Sequence, residues 1–245
     1  MIRIFAVILL AVVLSSFGVS MLNRSSLVAY YPMTQQTGNV LLDMKGGDKL
    51  VGQGNPYIVN ASAYCNGTSS AYTSSNQLAV KSLTNKLTCS FWCKRGSTSS
   101  AGLVATVNLG ASIGIWNVQN TSSGFQMVVI APPTNTTGLF KIDPSLVTAN
   151  VWRHFVGVYD GTEAIASNRI KLYVNGVDVG GTMTGTIPSS LQNPANSTLR
   201  IGRGIGTVTN DSYMKFVELY NRPLTPTEVK NIYVEEYNKI QQSGQ

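Results

Sequence analysis

Histidine, cysteine and acidic residues are scarce in this chain of 245 residues. It has one histidine, His154, three cysteines and eleven acidic residues. No Cys-x-x-Cys spacing or His/Cys cluster occurs, so the pattern of a zinc site is missing. Any Ser-His-Asp or Cys-His mechanism would have to use His154. These shortages leave little material for metal or nucleophilic chemistry.

The carboxylates also lack the spacing that glycoside hydrolysis requires. A retaining glycosidase needs two carboxyl groups about 5 Å apart across the scissile bond. Glu218 stands alone in the segment KFVELY, where we expect a surface salt bridge. Glu235 and Glu236 are adjacent, but they belong to a predicted terminal helix. The sequence therefore predicts a protein that binds and does not catalyse.

A Pro/Ser/Gly linker and any long helical periodicity before residue 225 are missing too. Glycine, asparagine, serine and threonine are spread evenly along the chain, as in all-β proteins. One β-sandwich of more than 200 residues is a common size for such a domain. We therefore predict a single all-β domain over residues 25–245.

The clearest strand pattern lies at residues 170–174. Ile170, Leu172 and Val174 alternate with Lys171 and Tyr173, the period-two pattern of a half-buried strand. The dipeptide at 175–176 is Asn-Gly, which accepts positive φ at both central positions of a type I′ turn. A tight hairpin is predicted there, with the partner strand at 177–179.

Four segments, in this order, resemble the laminin-G-like (LamG) modules of the concanavalin A-like superfamily. They are residues 27–52, FWCKRG around Trp92, the WRHFVGVYDG and KLYVNG motifs of residues 152–178, and LRIGRG with FVELYNRPLTPTEVKNIY within residues 199–233. The resemblance implies an antiparallel two-sheet jelly-roll sandwich with a short C-terminal helix. It implies no particular ligand, because this fold carries lectins, hydrolases, adhesion modules and structural domains.

The N-terminus is an uncharged segment, residues 4–22, between Arg3 and Arg24. Its length is close to that of a bilayer-spanning helix. Gly18 and Ser20 also suit a signal-peptide cleavage site. Residues 1–24 are therefore predicted to be an N-terminal hydrophobic helix, either a signal anchor or a signal peptide.

Both alternatives place the domain outside the cytosol, either membrane-anchored or secreted, on a cell surface or a virion. Seven Asn-x-Ser/Thr sequons agree with this location. The sequons in turn-like stretches, where a glycan would have room, are at Asn66, Asn120, Asn135 and Asn210.

The three cysteines leave two interpretations open. Cys89 and Cys93 lie on one face of a predicted strand, roughly 13 Å apart and too far to bridge each other. Either could form a disulfide with Cys65 if the strands are adjacent. The resemblance implies instead that this face belongs to the core, where both act as small buried hydrophobes.

The resemblance also bears on metal binding and on His154. Some LamG-like modules bind calcium through loop carboxylates, and the candidates here are Asp43, Asp48 and Asp160. These three form no recognisable ligand series, so ordinary turn chemistry is the competing interpretation. For His154, the corresponding Trp-x-His strand implies a structural role with a hydrogen-bonded ring.

Basic charge and aromatic residues point to the class of ligand. The net charge is +7, and its lysines and arginines are scattered without an RNA-binding motif. We expect no nucleic acid and favour anionic partners such as acidic or sulfated glycans. Sugars stack on exposed aromatic rings, and the candidates are Trp92, Trp116 and Tyr213.

A capping box with proline at the first helical position opens a C-terminal helix at Thr225, predicted over residues 225–241. Its apolar stripe outlasts the helix of the resembled modules. We therefore predict that Val229 and Ile232 pack on the domain, whereas Tyr237 and Ile240 meet a partner or the membrane surface. The function indicated is a binding or adhesion module for a glycan or protein. The alternative is a structural subunit of a membrane-associated assembly such as a virion, pilus or envelope complex.

Overall fold

The structure is a computed structural model and describes residues 24–34, 36–37, 39–45, 49–66, 70–74, 83–96, 101–108, 113–121, 124–131, 136–191, 197–203 and 211–242. Within these residues the strands are β1 (Leu27–Tyr31), β2 (Gln36–Thr37), β3 (Val40–Leu42), β4 (Lys49–Gln53), β5 (Tyr57–Val59), β6 (Ser62–Asn66), β7 (Ala71–Ser74), β8 (Lys86–Arg95), β9 (Ala101–Asn108), β10 (Ile113–Thr121), β11 (Gly124–Ala131), β12 (Thr136–Lys141), β13 (Trp152–Asp160), β14 (Ile170–Val174), β15 (Val177–Asp178), β16 (Thr182–Gly185), β17 (Ser197–Ile201) and β18 (Asp211–Tyr220). Short 3₁₀ turns lie at Pro144–Leu146 and Ala166–Asn168, and helix α1 spans Pro226–Gln242.

The strands form two antiparallel sheets, as the resemblance implied. Sheet I has eight strands in the order β15-β14-β13-β8-β18-β6-β5, with β1 also paired to β18. Sheet II has ten strands in the order β16-β12-β11-β10-β9-β17-β7-β4-β3-β2. The predicted all-β sandwich with a C-terminal helix is confirmed. The predicted N-terminal helix lies outside the described residues. Of the helical residues that are described, none belongs to a helix long and apolar enough to cross a membrane.

The inner faces of the two sheets enclose the main core. Alternate residues of each strand point inward, so Phe91 of β8, Phe155 of β13 and Phe125 of β11 meet at its centre. The ring centroids of Phe125 and Phe155 lie 4.6 Å apart. Cys89 and Cys93 belong to the same core and are almost fully buried. The prediction that they serve as small buried hydrophobes is confirmed.

Helix α1 packs across part of the outer face of sheet I and makes a second apolar cluster there. Its capping box forms as predicted: the Thr225 amide donates to Glu228 Oε2 over 2.8 Å, and the Glu228 amide donates to Thr225 Oγ1 over 3.3 Å. Val229 and Ile232 are buried against the sheet, as predicted. Helix α1 therefore adds a third layer to the sandwich.

Ile240 corrects the prediction for the end of α1. This residue is 3% exposed, so it cannot be a free partner contact. Val229, Ile232, Glu236 and Ile240 follow one another at helical spacing and lie on the face turned toward the sheet. Tyr237 lies off that face and is 41% exposed. The longer apolar stripe reflects a longer packed helix.

The hairpin between β14 and β15 is confirmed at Asn175 and Gly176. Their φ angles are 52° and 78°, and Val174 pairs with Val177 across the two-residue turn. The predicted exposure of one face of β14 is wrong at Tyr173, which is 1% exposed. Tyr173 belongs to the cluster beneath α1, which covers that side of the strand.

A β-bulge at Phe216 in β18 sets which side chains face outward. Phe216 has a φ of 49°, and the pairing with β8 slips by one residue between Lys215 and Glu218. Because of the extra residue, Val217 points into the core while Lys215 and Glu218 both lie on the outer face. The bulge therefore places two charged groups on one surface of sheet I.

Candidate functional site

Five side chains form a row across the outer face of sheet I, which we call the aromatic row. Strand pairing aligns Tyr57 with Tyr64, Tyr64 with Tyr213, Tyr213 with Lys94, and Lys94 with Trp152. Neighbouring strands lie about 4.8 Å apart, so the row extends over roughly 19 Å. Its five members come from β5, β6, β18, β8 and β13.

The three tyrosines of the aromatic row form a continuous ring surface. The centroids of Tyr57 and Tyr64 lie 4.9 Å apart, and those of Tyr64 and Tyr213 lie 4.7 Å apart. Tyr57 is 46% exposed, and its two neighbours are partly exposed. Helix α1 lies over other parts of this face, so these rings remain open to solvent.

Two lysines share the tryptophan end of the row. Lys94 Nζ lies 4.6 Å from the ring centroid of Tyr213 and 5.7 Å from that of Trp152. Lys215 Nζ lies 5.1 Å from the Trp152 centroid. Cations at such distances are attracted to the faces of aromatic rings. Burial and the nearby Lys94 ammonium lower the pKa of Lys215.

A groove of about 480 Å³ runs beside this end of the row. Its lining combines ring faces, an ammonium group and small polar side chains: Val59, Asn60, Ser62, Lys94, Asn150, Trp152 and Tyr213. The backbone amide of Asn150 donates to the Arg95 carbonyl over 2.7 Å, which holds Asn150 at the rim of the groove. The groove therefore offers both apolar faces and hydrogen-bonding groups to a ligand.

Asp211 of β18, the middle strand of the aromatic row, adds a negative charge beside Tyr64. The Tyr64 hydroxyl donates to Asp211 Oδ1 over 3.1 Å, and burial together with Asp211 raises the pKa of Tyr64 to about 12. The aromatic row therefore has a carboxylate beside its middle strand, close to the Tyr64 hydroxyl and to Gly96, and two ammonium groups near Trp152.

A second cluster of charged groups lies beneath α1. Glu218 is fully buried, forms an ion pair with Arg24 over 2.8 Å, and accepts a hydrogen bond from Tyr220 over 2.5 Å. The predicted surface salt bridge of Glu218 is wrong, because the bulge in β18 turns this side chain under the helix. Burial raises the pKa of Glu218, and Arg24 opposes that shift.

Glu236 of α1 reaches into the same cluster. Trp92 Nε1 donates to Glu236 Oε2 over 2.8 Å, whereas Glu236 Oε1 has no hydrogen-bond partner among the described residues. Burial and the Glu218 carboxylate hold the pKa of Glu236 well above its usual range. This carboxyl group is therefore driven toward its neutral form.

His154 completes the cluster and has the structural role implied above. Its Nε2 lies 2.8 Å from Ser90 Oγ and 3.6 Å from Glu236 Oε2. Full burial lowers the pKa of His154 to about 3, so the ring is neutral near pH 7. Because Glu218, Glu236 and His154 are at most 1% exposed, a substrate has no access to them.

A laminin-G family model, described as the concanavalin A-like lectin/glucanases superfamily, matches residues 66–230. The chain belongs to this superfamily. The match covers most of sheets I and II and the start of α1, and it confirms the resemblance found in the sequence. None of the curated proteins compared with the chain matches it.

Solved structures agree with this concanavalin A-like fold. A Trypanosoma rangeli sialidase superposes with a TM-score of 0.65 and 14% identity, covering 88% of this chain and 33% of the sialidase. The receptor-binding domain of botulinum neurotoxin type G gives 0.64 and 14%, covering 86% and 52%. The binding domain of Paraclostridial Mosquitocidal Protein 1 gives 0.64 and 14%, covering 88% and 53%. The chain spans a third to about half of these proteins, and at such identities the likeness concerns the fold.

Of the three ligand-binding candidates in this concanavalin A-like domain, only Tyr213 lies in the aromatic row. Trp92 is 2% exposed, with the Tyr233 ring stacked 5.7 Å away. Trp116 is fully buried in the core between the sheets. Both were wrong as stacking residues, because α1 covers one and sheet packing covers the other.

The sequence interpretation missed Trp152, Lys94, Tyr57 and Tyr64 as site residues. Trp152 was interpreted only as part of a strand motif, although its partly exposed ring is the tryptophan of the row. Alternation within single strands places each of these side chains outward. Their alignment depends on the order of the strands, and no local sequence signal contains that order.

The two calcium candidates that the structure describes, Asp43 and Asp160, accept hydrogen bonds within turns. Asp43 accepts hydrogen bonds from the amides of Tyr30 and Lys45, and Asp160 accepts from Thr162. Asp48 lies outside the described residues. The part of the chain that is described contains no group of three or more His, Cys, Asp or Glu side chains placed to hold a metal ion.

The disulfide prediction is wrong, because all three cysteines are free and buried. Strand β18 lies between β6, which carries Cys65, and β8, which carries Cys89 and Cys93. Two strand spacings amount to roughly 10 Å, beyond the reach of a disulfide. Burial raises the pKa of Cys65 and of Cys93 to about 12, which keeps these thiols protonated.

The sequon prediction is wrong at Asn120, which is 1% exposed in β10 and has no room for a glycan in the folded domain. Asn135 and Asn210 lie outside the described residues. Asn66 ends β6, but its side chain is not described. Glycan attachment at these three sites stays a prediction.

Proposed function

We propose that this domain is a non-catalytic carbohydrate-binding module, displayed outside the cytosol, that takes a glycan chain along the aromatic row. The observation that carries the proposal is the register of the row, which aligns four aromatic rings and a lysine from five strands on an open surface. A series of neighbouring rings, with the tyrosine rings tilted by 41° and 48° to one another, suits a chain of sugar rings, because each pyranose has an apolar face and a polar rim. A binding role also agrees with the fold family and with the neighbouring receptor-binding domain.

The polar groups beside the rings support a sugar ligand over a purely apolar one. Ser62, Asn60 and Asn150 line the groove next to Trp152 and Tyr213. Ligand sites of this kind combine apolar walls with a few hydrogen-bonding groups that set orientation. Hydroxyl groups at the rim of a stacked sugar would meet such donors and acceptors.

We propose a non-catalytic role because the carboxyl groups of the buried cluster are out of reach of a substrate. Glu218 and Glu236 are the neighbouring carboxyl groups beneath α1, and both are closed off from solvent. We expect Glu218→Gln to leave glycan binding intact and to abolish no hydrolytic activity. A glycosidase activity lost in that variant would contradict the proposal.

One argument for the alternative function, a structural subunit of a surface assembly, no longer holds. That interpretation used the extended C-terminal helix as a partner contact. Ile240 is instead buried, and Trp92 contacts Glu236 and the rings of Tyr233 and Tyr237. The helix extension is accounted for within the domain.

The test is a glycan array on the full chain in mild detergent, followed by calorimetry with the strongest hit. The chain has three tryptophans, two of which are buried, so a ligand-induced change in fluorescence would report mainly Trp152. We expect Trp152→Ala and Tyr213→Ala each to weaken binding at least tenfold. The matched control is Tyr237→Ala, an exposed tyrosine outside the row, which should bind normally. Unchanged binding in both row variants would overturn the site.

A further inference from the structure

We propose that Asn60 is an N-glycosylation site and that the first sugars of its glycan lie in the groove beside Trp152 and Tyr213. The sequence Asn60-Ala61-Ser62 is a sequon, and Asn60 lines the groove together with both aromatic residues. The inference rests on the proposed display of the domain outside the cytosol, where N-glycans are found. The attached glycan would occupy the surface that the proposed function gives to an external ligand.

The tight turn between β5 and β6 presents Asn60 to solvent. Val59 pairs with Ser62 across the two-residue turn, and Asn60 and Ala61 have φ angles of 49° and 48°. Positive φ at both central positions is type I′ geometry, which favours asparagine. Asn60 is exposed at this turn, at the edge of sheet I. A glycan on Asn60 is therefore compatible with the folded domain.

A comparison with Asn120 shows what this position offers. Asn60 and Asn120 are the two sequon asparagines whose side chains the structure describes. Asn120 is 1% exposed and lies in β10, between Phe125 of β11 and Ala101 of β9. A glycan on Asn120 would have to displace packed strands, whereas one on Asn60 would extend from a hairpin. The structure therefore favours Asn60 over Asn120 as the modified residue.

The sequon serine adds a condition on when the glycan is attached. Ser62 is 3% exposed, and its hydroxyl donates to the Val59 carbonyl over 2.6 Å. A transferase that reads the hydroxyl of the sequon has no access to it once the hairpin has closed. Attachment to Asn60 would therefore precede the completion of folding.

The groove offers an attached sugar both ring faces and polar groups. Its volume is about 480 Å³, and Asn150 lies at its rim near the partly exposed ring of Trp152. The first sugar of an N-glycan is N-acetylglucosamine, which has an apolar ring face and an acetamido group that can form hydrogen bonds. Because Asn60 lines the same groove, the tether gives this sugar an effective concentration of roughly millimolar order. Even a weak contact between sugar and ring would then be populated.

The experiment begins with the full chain made in a eukaryotic secretory host and purified in mild detergent. Mass spectrometry of its peptides, before and after enzymatic release of N-glycans, identifies the modified residues. We expect a glycan on Asn60 and none on Asn120. Glycans at other sequons and none on Asn60 would overturn the inference. A chain without any N-glycan would overturn both the inference and the proposed location, and would leave the aromatic row to its own test.

Quenching of tryptophan fluorescence by acrylamide tests whether the glycan covers the groove. Trp92 and Trp116 are buried, so the quencher reaches mainly Trp152. The parent protein is compared with Asn60→Asp from the same host. Aspartate tolerates positive φ, and enzymatic release of an N-glycan also leaves aspartate. If the tethered sugar occupies the groove about half of the time, the quenching constant of the parent should be roughly twofold lower.

Two controls isolate the effect of this glycan. Parent and Asn60→Asp proteins from a bacterial host without N-glycosylation should be quenched equally. Asn135→Asp removes the sequon that precedes β12 of sheet II, and protein from the secretory host should keep the low quenching of the parent. Equal quenching of the glycosylated parent and Asn60→Asp would overturn the placement of the glycan in the groove. An equal rise in Asn135→Asp would also overturn it.

The outcomes distinguish this inference from the proposed function. If the Asn60 glycan protects Trp152 and the bacterial protein binds no sugar on the array, the inference stands and the carbohydrate-binding function is wrong. If the bacterial protein binds glycans through Trp152 and the attached glycan gives no protection, the function stands and the inference is wrong.

Discussion

The outer face of sheet I has two halves that carry similar side chains, and only one of them is covered by helix α1. In the half under α1, Trp92 hydrogen-bonds to Glu236 and stacks with Tyr233. In the other half, Trp152 lies next to Lys94 with its ring partly open to solvent. Both tryptophans come from adjacent strands and point the same way. What separates a structural ring from a candidate binding ring is therefore the cover that α1 provides.

The largest expected contrast is between alanine variants of these two tryptophans. Trp92→Ala removes a buried ring and leaves Glu236 without its donor, so we expect a loss of about 3–5 kcal/mol in the free energy of unfolding. Trp152→Ala removes a partly exposed ring and should cost less, about 1–2 kcal/mol. Urea denaturation of both proteins measures the difference. Similar losses would mean that the two halves are not distinct.

Truncation after Tyr233 tests how far the covered half extends. The sequence-based prediction that Tyr237 and Ile240 meet a partner implied that this change would leave the melting temperature nearly unchanged. The burial of Glu236 and Ile240 reverses that expectation, and we now predict a loss of roughly 2–4 kcal/mol as Trp92 loses its cover. The control is truncation after Gln242, where α1 ends. Equal stability of the two truncated proteins would show that the last turns do not contribute to the core.

The covered half should also make stability depend on pH in two directions. The pKa of His154 is lowered from 6.5 to about 3, so the unfolded chain binds a proton that the folded one rejects as pH falls below 6.5. The pKa of Glu236 is raised above 4.5, so the folded state resists its ionisation as pH rises above 4.5. The combined penalty of the two groups is therefore smallest between pH 4.5 and 6.5, because the His154 penalty grows further below that range and the Glu236 penalty grows further above it.

Two variants separate these contributions. His154→Gln should reduce the loss of stability toward acid, by up to about 1.4 kcal/mol per pH unit between pH 6 and 4. Glu236→Gln should raise the melting temperature at pH 8 by about 2–4 °C relative to the parent protein and have little effect at pH 4. Thermal unfolding across this range gives the result. A pH profile that both variants leave unaltered would mean that the cluster does not govern stability.

The smallest expected effect concerns the turn beneath α1. Gly176 has a φ of 78°, and a Cβ there would lie 3.1 Å from Tyr233 Cβ. Gly176→Ala should cost about 1 kcal/mol from the backbone alone, and more if α1 cannot shift. Gly180→Ala is the control, because its φ is 63° and nothing lies within 4 Å of an added Cβ. Equal losses in the two variants would show that the contact with α1 adds nothing.

Local patterns predicted much of the fold and little of the site. The Asn175-Gly176 turn and the capping box at Thr225 depend on neighbouring residues, and both form as predicted. The position of Glu218 was wrong because its orientation depends on the bulge at Phe216. In a regular strand Glu218 would point to the face opposite Lys215. No residue type near Phe216 predicts the bulge that changes the orientation of Glu218.

The candidate site shows the same limit more strongly. Tyr213 was proposed as a stacking residue, and the row confirms only that it lies beside other aromatic rings. Trp152 and Tyr57 were not recognised, because they are far apart in the chain and meet only through the order of strands β5, β6, β18, β8 and β13. Trp92 was proposed for the same reason as Tyr213, and helix α1 covers it.

The sequence by itself determined the class of the domain, because alternation, turns and capping arise from interactions between residues a few positions apart. It also determined the excess of positive charge and the lack of a recognisable catalytic or zinc pattern. The tertiary structure decided which aromatic residues are open, which carboxylates are buried, and that Lys94 and Lys215 share one ring. Those properties depend on the strand order, on the bulge at Phe216 and on the position of α1 over sheet I. Strand order and helix packing bring together residues that are distant in the chain.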